Sequence, residues 1–279
     1  MIVNTENFNL RYTLDSGQCF SWTKITDNEY VGVIKRHGVK IKQVDNKLYI
    51  ESFPEIDEET IVNYFNLNVN YDDIVKKISK DTIVKSSIDK YRGLRIINQD
   101  EYDCTFSYLI SSCNNVPKIK TSYKLLSLYL GDKIDVPNSN NILSKEKFYT
   151  FPDIKKLESA DDIILKNAKV GFRAKYIKNT AKKIVNEGID LYSLHNLDPK
   201  DAYNILVSFQ GVGDKIAKCI LLYSMGVNSA FPIDTWILKH VKSVYKNYKV
   251  TEIQDIVNDE YSGYAGWAQL YIYALARKI

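Results

Sequence analysis

Paired cysteines are missing from this sequence. Its four, Cys19, Cys104, Cys113 and Cys219, lie far apart and none belongs to a CxxC pair. That spacing speaks against a disulfide framework, a zinc site or an iron–sulfur cluster. Histidine is scarce too, with His37, His195 and His240 scattered along the chain. No stretch approaches the ~20 apolar residues that a membrane span needs. The N-terminal MIVNTENFNLRYTL lacks a basic segment followed by an apolar run, so no export signal is expected. There is no repeat and no low-complexity linker. Terminal extensions are also missing, which suggests a cytoplasmic protein of a bacterium or archaeon, associated with the nucleoid if it binds DNA. Charge bias is mild: a formal net charge of +4 permits a polyanionic partner without demanding one.

What is present is ordinary globular material, 279 residues with 45% hydrophobic and 26% charged side chains. That length buries a large core and divides into two or three units. Residues 9–51 alternate on a period of two, with Val31 and Val33, Val39 and Ile41, and Leu48 and Ile50 marking strand faces. His37-Gly38 and Asp45-Asn46 read as the turns between strands, so an antiparallel sheet is expected. From about residue 60 the spacing becomes helical. Ile119, Tyr123, Leu126 and Leu130 share one face, Pro117 suits the helix start and Gly131 its C-cap. Further helices are expected over 101–113, 158–167, 174–187, 199–209, 214–225, 235–246 and 266–277. The expected fold class is α+β: a β domain with flanking helices over 1–99, then an all-helical region over 100–279.

The segment GVGDKIAKC, residues 211–219, joins two of these helices by Gly-Val-Gly. Such a helix-hairpin-helix frees several backbone N–H groups to point outward together, with a helix N-terminus behind them. Gly211 and Gly213 therefore make either a phosphate seat or simply a tight corner between helices. Lys215 falls in the first turn of the second helix, where partial positive charge disfavours an ammonium. It is either a surface lysine softened by Asp214 or an amine kept uncharged for nucleophilic attack. Asp234 precedes an apolar-periodic helix and reads as its N-cap, a role compatible with holding fixed negative charge near a reacting centre. In GFRAKYIKNTAKK, residues 171–183, Phe172 and Arg173 lead a helix with Lys175, Lys178 and Lys182 at helical spacing. This is a solvated basic face or a DNA contact with an apolar wedge.

LVSFQGVGDKIAKCILL followed by AFPIDTWILKHV resembles the helix-hairpin-helix, Gly/Pro…Asp motif of base-excision DNA glycosylases. With SGQCFSW (16–22), SSCNN (111–115), VGFRAKYI (170–177) and GYAGWAQ (263–269), the chain resembles the 8-oxoguanine DNA glycosylase/lyases over most of its length. The resemblance implies that Lys215 attacks C1′ of a flipped nucleotide and forms a Schiff base, while Asp234 stabilises positive charge on the sugar. It implies that Cys219 and Tyr273 flank the extruded purine, that Gln269 bonds its Watson–Crick edge, and that the Gly17 carbonyl accepts the N7–H that guanine lacks. Asn114, Asn115, Lys118, Phe172, Arg173, Gly211 and Gly213 would contact DNA. No cofactor is implied beyond a monovalent cation at the hairpin. The partner is double-stranded DNA containing 8-oxoguanine, and the enzyme is expected to be a monomer.

Four positions depart from the family pattern, the mildest being Tyr273 in place of a stacking phenylalanine. Cys113 replaces the first residue of an asparagine triplet, Trp236 replaces a phosphate-contacting histidine, and Lys118 replaces an arginine that reads the partner cytosine. A lysine is a point donor without the planar fork, so a relaxed preference for the opposite base is expected. Two other readings stand beside this one. A monofunctional alkylbase glycosylase has no use for Lys215. A non-catalytic DNA-binding module needs neither Lys215, Asp234 nor Gln269.

Overall fold

Strands Ile2–Asn4 (β1), Thr23–Thr26 (β2), Glu29–Ile34 (β3), His37–Val44 (β4) and Lys47–Phe53 (β5) form one antiparallel sheet in the order β1-β5-β4-β3-β2. The computed structural model describes residues 1–136, 143, 146–249 and 252–279. The β4–β5 turn is Asp45-Asn46 as expected, since Val44 pairs with Lys47. The β3–β4 turn is not at His37-Gly38. Ile34 pairs with His37 and Val33 with Gly38, which puts Lys35-Arg36 in the turn and both expected turn residues in the ladder. Gly38 marks a close approach instead, because a Cβ there would lie 2.7 Å from the Phe148 ring. The alternation expected from residue 9 also starts later. Leu10–Asp15 is a helix (α1) whose N-cap Asn9 accepts the Tyr12 N–H at 2.9 Å.

The sheet packs on Glu58–Tyr64 (α2) through Trp22, Ile41, Leu48, Ile50, Ile61 and Phe65. Helices Tyr71–Ile78 (α3) and Thr82–Lys90 (α4) precede residue 99, yet their side chains join the larger helical core rather than the sheet. Tyr71 and Tyr271 share a 2.7 Å hydroxyl bond, and the Ser87 hydroxyl donates to the Tyr271 carbonyl. The rest of that core comes from Glu101–Ser111 (α5), Val116–Leu130 (α6), Ile154–Glu158 (α7), Asp162–Asn167 (α8), Arg173–Glu187 (α9), Pro199–Val207 (α10), Asp214–Ser224 (α11), Thr235–Val244 (α12), Ile253–Glu260 (α13) and Ala265–Arg277 (α14). Burial of Trp267, Leu270 and Tyr271 makes α14 its axis.

Three local corrections follow from capping and pairing. The helix expected over 158–167 is split, because Asp161 accepts the Ile163 N–H at 2.6 Å and so starts α8 afresh. Helix α13 was not expected from the spacing. The region after residue 100 is not all helical either: Lys133–Ile134 (β6) pairs with Phe148–Tyr149 (β7), and Phe148 carries the pair onto the sheet at Gly38.

Candidate active site

A cleft of about 850 Å³ opens between the Ser16–Gln18 loop, the C-terminal end of α5, the hairpin, the start of α12 and one face of α14. Into it the fold brings Gly17, Asn114, Asn115, Gly211, Gly213, Lys215, Cys219, Asp234, Gln269 and Tyr273. Lys118, Phe172 and Arg173 do not line it.

The hairpin's two glycines do different work. Gly211 has φ +89°, and a Cβ there would meet the Tyr176 ring at 2.5 Å, so no other residue fits. Gly213 has an extended φ of −97° and open space around it, so it needs no glycine freedom. Its bare backbone leaves the first turn of α11 without a side-chain cap, and those N–H groups remain available to an anion.

Lys215 stands half-buried in that turn. Asp214, which would soften it, turns away: its Oδ1 takes the Lys218 ammonium at 3.0 Å and the Tyr203 hydroxyl at 3.0 Å. Among the described residues Lys215 has no ion-pair partner, and its Nζ lies 5.2 Å from the centre of the Tyr108 ring. Cys219, one turn along, is buried. Burial pushes its thiol up, and the positive Lys215 beside it pulls the other way. Asp234 is the N-cap the sequence predicts. Its Oδ1 accepts the N–H groups of Trp236 at 2.9 Å and Ile237 at 2.8 Å, while among the described residues Oδ2 accepts none. One oxygen therefore fixes the carboxylate and the other stays free.

Opposite them lie the candidate recognition residues. Gln269 is buried, 5% exposed. Its Nε2 donates to the Pro232 carbonyl at 3.2 Å, and its Oε1 accepts the Tyr223 hydroxyl at 3.4 Å. Tyr273 is half-buried four residues on, and burial raises its hydroxyl. A Cβ on Gly17, where φ is +83°, would lie 3.7 Å from the Tyr273 ring, so the loop and α14 close on one another. Tyr108 and Tyr223, stacked at 5.9 Å on the cleft floor, were missed because each reads as an ordinary core aromatic on its helix.

The outer DNA-contact candidates divide. Phe172 is 56% exposed and packs edge-on to Tyr176, the residue that abuts Gly211. Lys118 is exposed beyond Asn115, which caps α6 by accepting its N–H at 3.1 Å. Asn114 bridges the Ile110 carbonyl and the Asn115 N–H. Trp236 is 37% exposed, with Lys239 and Arg277 over its ring. Of Lys175, Lys178 and Lys182 on α9, Lys178 is paired with Asp162 at 2.8 Å. Arg173 does not present an open DNA contact. It is buried, and its guanidinium donates to the carbonyls of Ser112 (2.6 Å), Cys113 (2.9 Å) and Val170 (3.2 Å). It braces the Ser111–Asn115 loop from behind.

Among the described residues no group of three or more His, Cys, Asp and Glu could hold a metal, and no helix is long and apolar enough to cross a membrane. Residues 1–105 match the family model of the 8-oxoguanine DNA glycosylase N-terminal domain. The chain is 27% identical over 293 residues to the N-glycosylase/DNA lyase OGG1 of Arabidopsis thaliana, covering 95% of this chain and 76% of that protein. Among solved structures, MBOgg1 in complex with a low affinity DNA ligand is 32% identical, with a TM-score of 0.89 over 99% of this chain and 95% of that one. The Clostridium acetobutylicum 8-oxoguanine glycosylase/lyase, bound to duplex DNA with cytosine opposite 8-oxoguanine, is 30% identical. It has a TM-score of 0.87 over 100% of this chain and 98% of that one. Identity at this level over essentially the whole of both chains, on the same fold, makes this protein a member of the 8-oxoguanine DNA glycosylase family.

Proposed function

We propose that this chain excises 8-oxoguanine from duplex DNA and then nicks the strand, with Lys215 as nucleophile. The observation that carries the reading is an amine without a carboxylate partner among the described residues, set in one cleft with a fixed carboxylate and a buried amide. The flipped nucleotide enters between Cys219 and Tyr273, with the Gln269 amide at its Watson–Crick edge and the Gly17 carbonyl at N7–H. Lys215, once deprotonated, bonds C1′ through Nζ as the N-glycosidic bond breaks, and the proton that the nitrogen then sheds passes to the departing base. The free oxygen of Asp234 faces the positive charge that builds on the sugar. Opening of the sugar ring gives the Schiff base, and loss of a C2′ proton then expels the 3′ phosphate.

The uncapped start of α11 supports a phosphate contact at Gly211–Gly213. The carbonyl oxygens of Val207, Gln210, Gly211 and Val212 accept no hydrogen bond among the described residues. Such hard oxygen donors suit a monovalent cation there, which would add positive charge beside that phosphate. Phe172 supports a wedge into the vacated stack. Asn114, Asn115 and Lys118 support contacts to the opposite strand, with Arg173 acting through the loop it braces. The setting we infer is cytoplasmic DNA of a prokaryotic cell.

Borohydride trapping on an 8-oxoguanine duplex tests the reading. Wild type should yield a covalent protein–DNA adduct and Lys215→Gln none. An undiminished adduct in the variant would place the nucleophile elsewhere, and no adduct from wild type despite base release would favour a monofunctional glycosylase.

A further inference from the structure

Discrimination through one hydrogen bond to a backbone carbonyl works only if that carbonyl is held in place. The loop around Gly17 is held through the side chain and the carbonyl of the next residue, Gln18. Gln18 Nε2 donates to the carbonyls of Thr13 (3.2 Å) and Arg95 (2.8 Å) and to the Ser16 hydroxyl, and its Oε1 accepts the Ile97 N–H. Two donors meet on the Gln18 carbonyl: Tyr108 Oη at 3.0 Å and Gln99 Nε2 at 2.8 Å. Both lone pairs of that oxygen are thereby used. The Gly17 carbonyl, the next oxygen back along the chain, accepts nothing among the described residues.

Tyr108 is the member of this set that also touches the reactive wall. Its ring stacks on Tyr223 and meets Phe20 edge-on at 5.7 Å. Lys215 Nζ lies 5.2 Å from its centroid. Full burial pushes the hydroxyl's titration well upward, so it stays a donor at any pH the enzyme meets. A phenylalanine would fill the same space; only the hydroxyl reaches the loop.

We propose that Tyr108 is a positioning residue whose hydroxyl, by holding the Gln18 carbonyl, sets the Gly17 loop in register with the helix that carries Lys215. This deepens the reading above and rests on it. Base excision needs both the loop and the lysine, whereas strand cleavage at an abasic site needs the lysine alone. Loosening the loop should therefore separate the two activities.

The test is single-turnover excision from an 8-oxoguanine duplex, measured beside lyase cleavage of a duplex holding a preformed abasic site. Tyr108→Phe should slow excision about tenfold and leave lyase cleavage within about twofold of wild type. Gln99→Leu removes the other donor to the same carbonyl from outside the reactive wall, and should give the same selective loss. Equal loss of both activities in the two variants would mean general packing and would overturn the proposal. So would excision at the wild-type rate in both. A wild-type chain that cleaves abasic sites but releases no 8-oxoguanine would overturn the functional reading itself, an outcome distinct from either of these.

Discussion

Two clefts share helix α5, and they differ in charge: the first sets Lys215 and Arg277 beside Asp214 and Asp234, whereas the second is acidic. Its C-terminal half gives Tyr108 and Ser111 to the 850 Å³ cleft of Lys215. Its N-terminal half gives Glu101 and Asp103 to a second cleft of about 560 Å³, where Asp57, Glu59 and Asp100 also gather and Lys35 is the one lysine or arginine among the lining residues. Tyr223 lines the first and Ser224 the second. Burial raises Glu101 to about 7, and burial with the neighbouring Asp100 raises Asp103 well above the carboxylate range. Volume alone would rank the two as comparable sites. The field separates them, because open N–H groups and a lysine unpaired among the described residues attract a polyanion, whereas the carboxylates of Asp57, Glu59 and Asp100 repel it.

The comparison can be broken most directly at Asp234. Asp234→Asn keeps a good N-cap, so helix stability should change by less than about 1 kcal/mol. It removes the fixed charge, so single-turnover excision should fall about 10²- to 10³-fold. Excision near the wild-type rate would show that the capping oxygen, not the free one, is what matters. Next comes the hairpin. Gly211→Ala demands a positive φ and a clash with Tyr176, and should cost about 2 kcal/mol or more in denaturant unfolding. Gly213→Ala meets open space and should cost under about 1 kcal/mol. Equal costs would undo the distinction between the two glycines.

Lys118 sharpens the basic side. Wild type should cleave 8-oxoguanine with little regard for the base opposite, and Lys118→Arg should raise the preference for cytosine about tenfold. Rates against all four partner bases measure this. The smallest effect belongs to the acidic cleft. The folded-state value of Glu101 lies above its ordinary value of 4.5, so ionising it costs stability. That cost is absent below about pH 4.5 and complete above about pH 7, with stability falling as pH rises between them. Glu101→Gln should leave Tm unchanged at pH 4 and raise stability by about 1 kcal/mol at pH 8, a discounted figure because water reaches the site. DNA binding should strengthen slightly or not at all.

Several parts of this arrangement were legible locally. The Asp45-Asn46 turn, Asp234 as N-cap, α9 to α12 and α14, and the meeting of Lys215 with Cys219 all depend on residues no more than a turn or two apart. The errors share another origin. Gly38 looked like a turn residue because only Phe148, more than a hundred positions away, reveals why it is a glycine. Arg173 looked like a DNA contact because nothing near it in sequence supplies the carbonyls of Ser112 and Cys113. Asp214 softening Lys215 is one of two readings the sequence leaves open, and only the fold shows Lys218 and Tyr203 taking that carboxylate instead.

The amino-acid order by itself determined the strand and helix periods, the caps and the reactive residue types, since these follow from steric and hydrogen-bond preferences acting within a few residues. Only the tertiary structure decided which groups are spoken for and which are free. The Tyr108 hydroxyl reaches a carbonyl 90 positions away, and Gln269 finds Pro232 across 37. Contacts at that separation depend on how whole elements pack, and packing leaves no short-range pattern to read.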